Sequence, residues 1–190
     1  MHAGAQPAVT NPYPGMAAAY ALSIDGHLTW ADAVDQRRQP ASLAKLLTAL
    51  VLLDSPRWQP DMDVTVSAAA AGIEGSRIGL RQGEVLRAID LLTGMLVRSG
   101  NDACLALVEH DSGSMPAFAE RMNRHAAKLG MRDSHFVHPC GLDARGQHTT
   151  VADLLLLAEA ARSESRILRR AGAQSGDIRT RAGRLLTFHN

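Results

Sequence analysis

Ser42 and Lys45 stand three residues apart in Ser42-Leu43-Ala44-Lys45, at the head of the apolar stretch LLTALVLL. On a helix, residues at i and i+3 share a face, so the hydroxyl and the amine are placed to meet. A serine hydroxyl is a weak nucleophile until a neighbouring base takes its proton. Lysine can be that base when its ammonium form is disfavoured. Burial among leucines disfavours it, and so does the positive end of the helix dipole near Ser42. Lys45 and Lys128 are the only lysines among 20 basic residues, and the others are arginines that keep their proton. The bland alternative is that Ser42 caps a helix and Lys45 snorkels to solvent. By itself S-x-x-K decides nothing, because about one chance match is expected in a chain of this length.

Ser99-Gly100-Asn101 is a second constellation, at a break between two apolar helical stretches. A glycine between short polar residues at such a break can project a hydroxyl and an amide into a cleft. The hydroxyl is suited to relaying a proton between Lys45 and a leaving group, and the amide to holding a substrate carbonyl. The alternative is a helix cap that satisfies orphan N–H groups. His135, His138, Cys140 and His148 make a nitrogen and sulfur cluster, but HxxHxC is not an established zinc spacing. Cys104, in the apolar segment after Asn101, reads as an inert core thiol rather than a disulfide partner.

The elements that must hold these residues follow from periodicity. Residues 1–15 are rich in Pro, Ala and Gly and read as a loose lead-in, leaving residues 16–190 as the domain. In MAAAYALSIDGHLTWA, two apolar runs flank Asp25-Gly26, a two-residue hairpin signal, so strands are expected over 17–24 and 27–31. ASLAKLLTALVLLD predicts a buried helix from near Ser42, stopped by Pro56. DVTVS is a short strand candidate and GSRIGLRQG a loop. EVLRAIDLLTGMLVR has a helical period, and DACLALVEH resumes helix after the Ser99 break. MPAFAERMNRHAAKLG is an amphipathic helix closed by Gly130, residues 131–148 are loop, and TTVADLLLLAEAARS is a helix with a Thr N-cap, where Asp153 complements the dipole. RLLTFHN starts as a strand with no visible partner, so the chain reads as incomplete.

Composition bounds the function. With 190 residues, 46% hydrophobic and 21% charged, the chain is sized for one globular domain with a real core. A net charge of +1 and scattered arginines remove the electrostatic case for nucleic acid or an anionic membrane. Two cysteines are too few for a disulfide scaffold and say little about redox compartment. No stretch has the apolar length to span a bilayer, and no signal peptide is visible at the start.

PASLAKLLTAL, GSRIGLRQGE, LLTGMLVRSGNDA, HFVHPCGLD and TTVADLLLLAEAA occur in this order, with a spacing that resembles the serine-type D-alanyl-D-alanine carboxypeptidases. These are low-molecular-mass penicillin-binding proteins, related to class A β-lactamases. The resemblance runs from Ala17 to Asn190. It implies a mixed α/β fold of the β-lactamase/transpeptidase-like kind, an antiparallel sheet packed with helices, here without its C-terminal strands. It implies Ser42 as the acyl-enzyme nucleophile, Lys45 as its proton acceptor, Ser99 as a proton shuttle and Asn101 as the residue positioning the substrate amide. The implied partners are peptidoglycan stem peptides ending in D-Ala-D-Ala and the β-lactams that mimic them. No metal or organic cofactor is implied, and the location is periplasmic or extracytoplasmic by analogy; a membrane anchor is not seen in this chain. The family's third element, Lys-(Thr/Ser)-Gly, is absent, since no lysine follows Lys128. His138 and Cys140 stand where relatives more often show Asn and His, and neither receives a role.

The reading is therefore a carboxypeptidase acting through an acyl-enzyme on Ser42. The alternatives are a truncated, non-catalytic homologue that binds cell-wall peptide or a partner, and a β-lactamase-like hydrolase.

Overall fold

The computed structural model describes residues 14–15 and 17–190, so the lead-in expected over 1–15 lies almost wholly outside the described residues. The molecule is mixed α/β. A hairpin of β1 (Tyr20–Ile24) and β2 (His27–Asp32) turns at Asp25 and Gly26, with φ of 50° and 78°, the paired positive values of a type I′ turn. A 3-10 turn (Ala41–Leu43) leads into α1 (Ala44–Leu53). Then come β3 (Asp63–Thr65), α2 (Ala68–Gly72), β4 (Val85–Arg87), α3 (Ala88–Val97) and α4 (Asn101–Ser112). The chain continues with α5 (Met115–Lys128), α6 (Val151–Ser163), α7 (Ser165–Ala171), β5 (Ser175–Arg179) and β6 (Leu185–His189).

The core forms around α1. Its sequence is apolar nearly all round because it meets α3, α4, α5 and α6 on different sides. Leu47, Leu52, Leu91, Leu92, Leu107 and Met122 are fully enclosed there. α5 is instead amphipathic, burying Phe118, Met122 and Ala126 on one stripe, and Gly130 follows its end with a φ of 82°. Thr150 caps α6 by accepting from the Asp153 N–H, as its sequence predicts. The Asp153 carboxylate does more than complement the dipole: it accepts from the Asp133 N–H and the Ser134 hydroxyl, tying the 131–148 loop to this helix.

Four expectations are corrected. The helical period of EVLRAIDLLTGMLVR begins one turn too early, since Val85–Arg87 pairs antiparallel with β3 and places Leu86 beside Val64 in the core. RLLTFHN does have a partner: β6 pairs along its whole length with β5, burying Ile178, Leu186 and Phe188 against α3. β5 escapes a propensity reading because its Ser, Gly and Asp are depleted in strands. The strands do not form one sheet; among the described residues they make three separate two-stranded pairs. Finally, Cys104 is not an isolated thiol, being disulfide-bonded to Cys140. Among the described residues, no helix is long and apolar enough to cross a membrane.

Candidate active site

Ser42 lies in the 3-10 turn ahead of α1 and is exposed, while Lys45, one turn on, is 3% exposed. The i, i+3 spacing brings them together: Lys45 Nζ donates to Ser42 Oγ at 3.2 Å. The same amine donates to the Cys140 carbonyl at 2.7 Å. Burial lowers the Lys45 pKa from 10.5 to about 8, since a low-dielectric surround penalises the ammonium form. The amine is therefore poised to lose its proton close to neutral pH, as a general base requires. His138, nearby, is also held below its ordinary value, first by burial and then by the positive charge of Lys45.

The Ala41–Ser42 turn is held in an uncommon conformation. Ala41 has a φ of 47°, in the left-handed region that a residue with a side chain seldom adopts. Its carbonyl lies close against Gly141, where a Cβ would stand 1.9 Å from the Ala41 oxygen. Gly141 itself has a φ of 80°, so only glycine satisfies both the backbone and the space. The neighbouring Pro139 carbonyl accepts from Thr48 Oγ1 at 2.7 Å, one turn further along α1. The loop segment Pro139-Cys140-Gly141 thus grips α1 and its preceding turn at consecutive residues.

Ser99 joins α3 to α4 and is likewise left-handed, with a φ of 57°. Ser42, Lys45 and Ser99 line one cavity of about 350 Å³, whose apolar wall includes Leu43, Leu46 and Met95. Ser99 Oγ is buried with no hydrogen-bond partner among the described residues, and Asn101 Oδ1 shares that condition. Asn101 Nδ2 donates to the Glu74 carbonyl at 2.7 Å, so its amide N–H side faces the 74–80 loop rather than the cavity. Asn101 is not among the residues lining that cavity, so of these two atoms only Ser99 Oγ belongs to its wall, where a further molecule could supply a hydrogen bond.

Several supports of the site have no signature in the sequence. Asp102 is fully buried and accepts from the N–H groups of Ile78, Gly79 and Leu80 at 2.9–3.1 Å, and from that of Ala103. With the Asn101 N–H donating to Ser76 O, it straps the 75–80 loop onto the start of α4, just behind Ser99. An acidic residue in a first helical turn signals only dipole complementation, so this role was invisible. Cys140 carries no sequence signal of a role, yet its carbonyl accepts from Lys45 Nζ and its sulfur is bonded to α4. That bond also removes its sulfur as a ligand in the His135, His138, Cys140 and His148 cluster.

A mixed α/β body carrying a serine hydroxyl in contact with an adjacent, desolvated lysine is the arrangement that serine acyl-transfer chemistry requires. Comparison with known proteins makes this specific. Residues 8–181 match the peptidase family S11, D-alanyl-D-alanine carboxypeptidase. The chain is 40% identical over 144 residues to D-alanyl-D-alanine carboxypeptidase DacD of Escherichia coli, covering 71% of this chain and 37% of that protein. It is 34% identical over 128 residues to D-alanyl-D-alanine carboxypeptidase DacF of Bacillus subtilis, covering 66% and 33%. Among solved structures, the Streptomyces K15 DD-transpeptidase superposes with a TM-score of 0.84 at 27% identity, covering 95% of this chain and 74% of that one. Penicillin binding protein 6B of Escherichia coli gives 0.77 at 36% identity, covering 87% and 54%. The chain belongs to the S11 family of D-alanyl-D-alanine carboxypeptidases. It spans about a third of the length of the curated relatives it matches.

Proposed function

We propose that this chain carries the acyl-enzyme site of a serine-type D-Ala-D-Ala carboxypeptidase. The observation that supports this most is the buried amine of Lys45, 3.2 Å from the Ser42 hydroxyl, with its pKa lowered to about 8. Neutral Lys45 takes the Ser42 proton as Oγ attacks the carbonyl of the penultimate D-Ala in a peptidoglycan stem peptide. The tetrahedral oxyanion is met by backbone N–H groups, including that of Ser42. Collapse expels the terminal D-Ala, whose amine receives a proton through Ser99, and water then hydrolyses the acyl-enzyme. By its place in the family motif Asn101 positions the substrate amide; its Oδ1 is buried without a hydrogen-bond partner among the described residues. β-Lactams, which mimic the D-Ala-D-Ala terminus, acylate the same hydroxyl. An extracytoplasmic, oxidising location fits the Cys104–Cys140 disulfide, a bond that rarely persists in a reducing cytosol.

The test is intact-mass spectrometry after incubation with penicillin. The expected result is one covalent adduct on the wild type and none on Ser42→Ala. No adduct on a folded wild-type chain removes the catalytic reading and favours a homologue that binds cell-wall peptide without turnover. Rapid release of hydrolysed penicillin would instead favour a β-lactamase.

A further inference from the structure

The 138–142 segment belongs to no helix or strand, yet it touches the Ala41–Ser42 turn, Lys45 and Thr48 at three consecutive residues. Side-chain bonds fix one part of it: Gln147 Oε1 accepts from the Val137 and His138 N–H groups, and its Nε2 donates to the Leu142 carbonyl. At Cys140 itself the tie is covalent and goes to Cys104, one turn into α4. Both cysteines are fully buried. The Cys140 backbone therefore meets two elements at once. Its carbonyl holds Lys45 of α1, and its side chain is anchored to the helix that starts directly after the Ser99-Gly100 bend. The ring runs from the Lys45 amine through the Cys140 carbonyl and the disulfide into α4, and so relates the base on α1 to the serine at the bend.

We propose that the Cys104–Cys140 disulfide is a positioning crosslink for the Lys45 amine, fixing the Cys140 carbonyl where it holds Nζ against Ser42 Oγ and closes it from water. This rests on the reading of Lys45 as the base. It adds two positioning residues that do not touch substrate. Cutting the bond with a dithiol transfers two electrons and two protons, leaving two cysteine thiols and the cyclic disulfide of the reagent. The carbonyl then depends on a loop with no regular secondary structure, and the amine gains access to solvent. Solvation stabilises the ammonium form, so the Lys45 pKa rises on cleavage.

The charged groups around α1 leave Lys45 to report on its solvation. His138 is its titratable neighbour from the loop, and Glu74 acts on His138. Asp102 of α4 is bound by backbone N–H groups, Asp153 of α6 by Ser134 and the Asp133 N–H. His125 of α5 lies beside Asp54 at the far end of α1.

The experiment is a pH titration of the full chain labelled with carbon-13 at lysine Cε, followed by NMR. Only Lys45 and Lys128 contribute, and Lys128→Arg assigns the signals. In the oxidised protein the Lys45 midpoint is expected near 8, and in the dithiol-reduced protein and the Cys104→Ala, Cys140→Ala double variant it moves up toward 10.5 by about one unit or more. An unchanged midpoint in either uncrosslinked form, with a native amide spectrum, overturns the proposal. Unfolding of both uncrosslinked forms also overturns it, because the bond would then be a staple of the fold alone. The readout needs no penicillin, so a chain that forms no adduct but shows the shift separates this inference from the catalytic one.

Discussion

An ammonium group is expensive to enclose in protein, and at Lys45 the expense is felt as a pKa lowered from 10.5 to about 8. The folded value lies below the unfolded one, so between about pH 8 and 10.5 the unfolded chain holds a proton that the folded chain has released. Stability contributed at this residue therefore rises with pH across that window, and the full penalty is present below it. Urea denaturation of the wild type and Lys45→Met should show the wild type gaining on the variant from pH 8 to pH 10; a constant difference contradicts the assignment. The same energetics make the residue chemically useful. Lys45→Arg keeps the positive charge but gives a side chain that does not deprotonate, and penicillin adduct formation should slow by about 10²–10⁴-fold. A time course at the wild-type rate would remove Lys45 as the base.

Loops, rather than the helices they join, set the shape of the site. Gly141 illustrates the tolerance: alanine there combines a φ of 80° with a Cβ 1.9 Å from the Ala41 carbonyl. Backbone must move to relieve that clash, so Gly141→Ala should lower the Tm and abolish the adduct together. A variant with wild-type acylation would show that the Ala41–Ser42 turn does not depend on this contact. Asp102 performs the equivalent service at the Ser99 bend. Replacing it with alanine leaves the N–H groups of Ile78, Gly79 and Leu80 without their carboxylate, for a loss of about 3 kcal/mol or more. Urea unfolding of Asp102→Ala measures this, and a loss within about 0.5 kcal/mol, typical of a surface change, would refute the strap.

Across the whole molecule, the terminal hairpins are attached unequally. The turn of β5–β6 is tied to the body by the Arg181 N–H on the Val85 carbonyl and by Arg184, which forks onto both Glu84 oxygens at 2.5 Å. That pairing holds Glu84 below the ordinary carboxylate range. The β1–β2 hairpin instead exposes Leu22, Ile24 and Leu28 at 38%, 51% and 57%. Among the described residues these strands pair with no third strand, and exposed apolar side chains on a two-stranded sheet favour pairing between chains. The isolated chain should therefore self-associate with rising concentration in analytical ultracentrifugation, and Ile24→Lys with Leu28→Lys should reduce this. A monomer at all concentrations would show that these edges are not adhesive.

The Ser42–Lys45 contact was legible because it is local. Ser42 and Lys45 are one helical turn apart, the enclosing helix is apolar on every side, and Ser99 interrupts a helical run, so spacing and burial follow from adjacent residues. Helices α1, α4, α5 and α6 were legible for the same reason, their periodicity and caps lying within each segment. What sequence left open depends on contacts between distant segments. Nothing near Val85 reveals that β3 will claim it, nothing near Cys104 reveals Cys140, and Asp102 does not announce the loop it will hold. The grip of residue 140 on the amine of residue 45 belongs to tertiary structure alone. A backbone carbonyl has no sequence signature, and only chain packing brings it within 2.7 Å of Lys45 Nζ.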